Sequence, residues 1–189
     1  MDGVDDSAPK RADARRNQKA LLDAAAAVFV ASGVEAPIRD IAAKAGVGTA
    51  TIYRHFPTRA DLIIAVYRHQ VEALAEAGPA LLAASATPYA ALAEWLDRFV
   101  DFVITKQGLP AVLQSDDPCY DPLHSYFLDR LVPVCTQLLE AASAEIRDGL
   151  DAYELMRGIG GLCAGASSKH PYDARRLVGM LVAGLRRPD

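Results

Sequence analysis

At 189 residues with 51% apolar side chains, much of them alanine, and only 7% aromatics, the chain has enough length for a real core and a composition that favours packed helices. The net charge of −4 hides an asymmetry: residues 7–70 hold ten Lys/Arg against five Asp/Glu, net +5, and residues 71–189 hold ten against sixteen, net −6. A basic front suits phosphate, though ordinary surface charge gives the same pattern; three scattered cysteines without a CxxC pair argue against structural zinc, and no apolar run is long enough to span a bilayer.

In chain order, residues 1–9 mix Asp, Gly, Ser and Pro without a period, and an arm over 1–12 with a basic end is expected to be disordered. A module over 13–60 follows. Its first helix buries Leu22, Ala25, Ala26 and Phe29 and closes near Ser32-Gly33. A short helix over 38–45 carries Ile38, Ile41, Ala42 and Ala45 inward, with Gly46 as its stop, and another runs from Thr49 to about His55. Thr58 and Asp61 form an acidic variant of the capping box, opening a connecting helix over 61–78 that Gly78-Pro79 breaks. The body, 61–189, continues with helices over 89–107 and from 121 or 122 to 147, the latter kinked at Pro133. A short piece lies near Val112, and a last pair covers 151–166 and 173–187. The expected fold class is all-α, an N-terminal three-helix domain followed by a larger helical C-terminal domain.

The decisive feature is the pair of short helices joined by Gly46-Val47-Gly48. Ala42 permits a close crossing, Gly46 accepts the turn geometry, and Val47 plugs the angle, which is how a helix-turn-helix is built. Its second helix needs an exposed face rich in groups that reach bases or phosphates, and Thr49, Thr51, Tyr53, Arg54 and His55 meet that need while Ile52 and Phe56 face inward. A plain helical hairpin with a polar outer face remains the alternative on this pattern alone.

The segment from Ile38 to Leu62, with its Ile-Ala, Ala-Gly-Val, Tyr-x-His-Phe and Asp-Leu elements, resembles the DNA-binding domain of the TetR family of bacterial regulators; the resemblance covers roughly residues 15–67. It implies a base or phosphate contact at Arg39, groove-facing Thr49, Ala50 and Thr51, phosphate contacts at Tyr53 and His55, and a backbone clamp at Arg59. Tyr53 packed on the first helix, His55 without contact and Arg54 in solvent are the bland readings of the same residues. Pro37 and Gly48 depart from the hydroxyl residues usual in the family and weaken two helix caps. Arg11, Arg15 and Arg16 either follow the DNA as an arm or simply solvate a helix start.

One such module spans a few base pairs, so a palindromic double-stranded operator and a homodimer are expected. The resembled family pairs through its last two helices, which points to Leu155, Ile159, Leu162, Leu177, Met180, Leu181 and Leu185; an internal core would use the same residues. It also implies a small-molecule effector pocket among Trp95, Phe99, Phe102, Tyr120, His124 and Phe127, which plain core packing explains equally well. Repression is expected from the resemblance, and the absence of a signal peptide points to the cytoplasm. No nucleotide loop, nucleophile elbow or metal motif suggests an enzyme or a cofactor. A helical dimeric interaction module, or a small-molecule-binding protein without specific DNA binding, is the competing reading.

Overall fold

The computed structural model describes residues 7–106, 121–165 and 172–187, with side chains over 16–104, 122–164 and 172–187. The described elements are helices α1 (Ser7–Ser32), α2 (Ile38–Ala45), α3 (Thr49–His55), α4 (Arg59–Ala84), α5 (Pro88–Lys106), α6 (Asp121–Ala141), α7 (Ala152–Gly165) and α8 (Ala174–Leu185). The expected piece near Val112 lies outside the described residues. Two compact units divide between His69 and Gln70, within α4. No described helix is long and apolar enough to cross a membrane.

In the first unit, Leu21, Leu22, Ala25, Val28 and Phe29 turn inward from α1, meeting Ile38, Ile41 and Ala42 of α2 and Ile52 of α3 as the buried set. Gly33, at φ 79°, ends α1 by sending its N–H to Phe29 O. The helix already runs at Ser7, inside the segment expected as a disordered arm; Pro9 stands in the first turn, where a missing N–H breaks no helical bond. The unit also extends past residue 60, because Leu62, Ile63, Val66 and Tyr67 of α4 are all buried.

Helix α4 passes through Gly78-Pro79 to Ala84 instead of breaking there. A Cβ on Gly78 would lie 2.3 Å from Val134 Cγ1, so the glycine is what lets α6 close onto α4. Leu81, buried beyond the proline, anchors the final turns. Pro133 likewise sits within a continuous α6, which ends at Ala141 rather than near 147. The earlier end has a tertiary cause: Ile146 is buried and bridges antiparallel to Arg186, with Arg147 N–H donating to Leu185 O and Arg187 N–H to Glu145 O.

The second unit is centred on α5, whose Leu92, Trp95, Leu96, Phe99 and Val100 are buried. Trp95 stacks on Phe99 (5.8 Å between centroids, 1° between planes) and donates from Nε1 to Leu74 O at 2.9 Å. Outside that core, Arg175 of α8 pairs with both Asp97 and Asp101 of α5. Burial pushes the Cys135 thiol up to about 12 and raises that of Cys163, leaving both as unreactive core thiols.

Candidate nucleic-acid interface

The turn between α2 and α3 is fixed by backbone chemistry. Gly46 adopts φ 68°, ψ 28°, and its N–H donates to Ala43 O while Val47 N–H donates to Ala42 O, the double bond of a Schellman cap. Pro37 and Gly48 flank the two helices without side-chain caps; Pro37 O accepts from Asp40 N–H and Gly48 O from Thr51 N–H. Ala42 is buried at the crossing and Val47 is half-buried in the angle. At the start of α4, Thr58 N–H and Oγ1–H donate to Asp61 Oδ2, and Asp61 N–H returns a bond to Thr58 Oγ1. The acidic capping box read from the sequence is therefore closed in both directions.

This frame leaves one face of α3 in solvent. Thr49, Ala50, Tyr53, Arg54 and His55 are exposed and Thr51 is half-exposed, whereas Ile52 and Phe56 are buried. Tyr53 is 53% exposed, so it is not packed away against α1. Arg39 projects from the first turn of α2, 3.5 Å from Asp40, an exposed pair that holds the guanidinium weakly. Arg16 is exposed, while the side chains of Arg11 and Arg15 lie outside the described residues.

Arg59 has a role the sequence did not disclose. Its Nη1 donates to Val34 O at 2.5 Å and Ala36 O at 2.9 Å, tying α4 to the connection between α1 and α2. Nothing local marks this, because the acceptors are carbonyls more than twenty positions earlier in the chain. We expect Arg59→Met to cost about 1–3 kcal/mol by leaving part-buried carbonyls without their donor. Thermal unfolding without DNA checks this: a clamp acting on phosphate alone would leave that melt unchanged.

In the second unit, a cavity of about 440 Å³ lies among α5, α6 and α7. Phe99, His124 and Phe127 of the expected pocket residues line it, and His124 stacks on Phe127 at 6.2 Å. Trp95 and Phe102 do not; both are buried core, with Phe102 stacked behind Phe127. Tyr120 lies outside the described residues. The wall that the sequence reading missed is α7, which contributes Tyr153, Met156 and Arg157; its signal was the i, i+3, i+4 spacing of those residues.

In the same unit, Glu72 of α4 accepts from Tyr126 Oη and from Nε and Nη2 of Arg130, both on α6. The bond from Arg130, aided by Tyr126 and opposed by partial burial, lowers the Glu72 carboxyl below the usual range. A depressed carboxyl stabilises the fold above its unfolded value, near 4.3, and the contribution disappears as pH falls through the lower folded value. Glu72→Gln should flatten that acid limb by about 1 kcal/mol or less, since the pair is partly exposed; urea midpoints taken across the acid range check it.

Of the residues expected at a dimer surface, Leu155, Ile159 and Leu185 are buried in the chain's own core, which removes them from any surface open to a partner. Leu162 and Leu177 are half-exposed, Leu181 is 38% and Met180 64% exposed. The inward set took the hydrophobic positions nearest α5 and α6, and periodicity alone could not divide one apolar stripe into two faces.

Two short helices set by a Schellman turn, with a polar exposed face on the second, define a helix-turn-helix DNA-binding protein. Residues 21–66 match the family model described as bacterial regulatory proteins of the tetR family, and residues 87–187 match the C-terminal domain of SbtR-like transcriptional regulators. A TetR transcriptional regulator from Streptomyces coelicolor is 35% identical, covering 90% of this chain and 98% of that one, with a TM-score of 0.74. A TetR transcription regulatory protein from Mycobacterium vanbaalenii is 30% identical over 95% of this chain and 100% of that one, also at 0.74. The HTH-type transcriptional repressor LfrR of Mycolicibacterium smegmatis is 48% identical over 54 residues, 29% of this chain and 28% of that protein. The chain belongs to the TetR family and is a sequence-specific DNA-binding transcriptional regulator.

Proposed function

We propose that the protein is a cytoplasmic, ligand-responsive repressor that binds a palindromic operator as a homodimer. The exposed face of α3 carries this reading. Thr49, Ala50 and Thr51 enter the major groove, where small side chains read thymine methyls and groove shape. Tyr53, Arg54, His55 and Arg39 meet phosphates, and Arg59, with Nη1 committed to carbonyls, offers the rest of its fork to the backbone. The start of α1, with Arg11, Arg15 and Arg16, follows the adjacent phosphates.

Pairing uses Leu162 of α7 with Leu177, Met180 and Leu181 of α8, the exposed apolar residues of the last two helices. The cavity among α5, α6 and α7 receives the effector, whose binding favours a spacing of the recognition helices that DNA does not accept. Relatives lend this support: LfrR is named a repressor, and its structure was solved in complex with proflavine. Sedimentation and operator titration of a Leu177→Glu, Met180→Glu variant test the reading together. The expected result is a monomer with operator affinity reduced at least about a hundredfold, as loss of one half-site implies; a dimer with unchanged affinity would overturn it.

A further inference from the structure

The cavity in the second unit holds one cationic side chain, Arg157, among its described lining residues. One face of α7 forms its wall, with Tyr153, Arg157 and Gly160 along a single line, and Phe99 and Phe127 stand among the residues completing it. Among the described lining residues there is no carboxylate, and Arg157 carries no ion pair among the described residues. Elsewhere in the unit Arg98, Arg130, Arg175 and Arg187 are each paired with carboxylates, and acidic residues outnumber basic ones over 71–189. A Cβ built on Gly160 or Gly161 meets nothing within 4 Å, so this side of the cavity is open and could be filled by a larger side chain.

We infer that the cavity takes an amphipathic organic anion, its apolar or aromatic body lying between Phe99, Phe127 and the glycine wall and its acidic group on Arg157. This rests on the effector reading above and adds the chemical class. A guanidinium offers a carboxylate or sulfonate two parallel N–H donors, which a cation or a neutral apolar molecule cannot use. His124, stacked on Phe127, and the Tyr153 hydroxyl supply further polar contacts at the rim. About 440 Å³ falls within the usual range for a small-molecule site.

The test is a fluorescence titration of the full-length protein with 8-anilinonaphthalene-1-sulfonate, followed by displacement with decanoate or with decylamine. Saturable binding is expected, with decanoate displacing the probe at least tenfold more effectively than decylamine. Arg157→Gln should raise the Kd for the probe at least tenfold without moving the melting temperature, because the side chain is exposed and has no ion pair among the described residues. Arg157→Lys should recover part of the loss, and Gly160→Leu should remove binding by filling the space. Unchanged affinity in Arg157→Gln, or equal displacement by the amine, would overturn the inference. Operator release separates the two readings: Arg157-dependent binding of decanoate without release keeps the anion site and removes the effector role, whereas release by decylamine or proflavine alone keeps the effector role and removes the anion site.

Discussion

Trp95→Ala is expected to destabilise the second unit by about 3–5 kcal/mol, the range for truncating a large buried aromatic. The indole is fully buried, lies parallel to and offset from the Phe99 ring, and its N–H is satisfied by Leu74 O across from α4. Truncation would open a void at the point where α4 and α5 meet and remove a hydrogen bond that links them. Since domains are stable by only about 5–15 kcal/mol, this single change should bring the unit close to unfolding at room temperature. Trp95→Phe retains most of the apolar area and should cost markedly less. Urea unfolding followed by far-ultraviolet circular dichroism measures both, because the sequence holds one tryptophan and its fluorescence is lost with it. A cost below about 1 kcal/mol for the alanine variant would contradict the packing of α5.

Gly46→Val should reduce operator binding far more than its position outside the DNA-facing surface suggests. At φ 68° a β-branched residue is strained by about 1–2 kcal/mol or more. Space is not the obstacle, since a Cβ there meets nothing within 4 Å. The strain is relieved only by leaving the left-handed conformation, which gives up the bonds from Gly46 and Val47 to Ala43 and Ala42 and turns α3 away from its set angle. A penalty of about 1.4 kcal/mol is already tenfold in affinity. Gly46→Asn provides the control, because Asn tolerates this region, and it should bind nearly as well as the parent. Equal affinities for the valine and parent proteins would show that the turn does not set the recognition helix.

The contrast between the two units explains what sequence can disclose. Helices α2 and α3 were legible to the residue because their limits are written locally, by Pro37, Gly46, Gly48 and the Tyr53–Phe56 end of the recognition helix. The same local logic misread Gly78-Pro79 as a break. There the deciding contact is Val134, more than fifty residues away, whose close approach makes the glycine a packing requirement and holds the helix through the proline. Arg59 shows the same limit: its resemblance to a phosphate clamp is visible in sequence, whereas its bonds to Val34 O and Ala36 O are not. In the cavity, aromatics drew the eye to Trp95 and Phe102, which became core, while the wall on α7 depends on which way that helix turns against α5 and α6. Leu155 and Ile159 illustrate the point for the last helices, where one apolar stripe serves both the interior and the outer face.

Selection of bound duplexes from a random pool by the full-length protein, followed by titration of the recovered sequence at two salt concentrations, tests the recognition helix most directly. Two symmetric half-sites with centres about one helical turn apart are predicted, bound at least about a thousandfold more tightly than random duplex and weakening steeply with salt. Recovery of no common sequence, or equal affinity for selected and random duplexes, would contradict a DNA-reading role for the exposed face of α3.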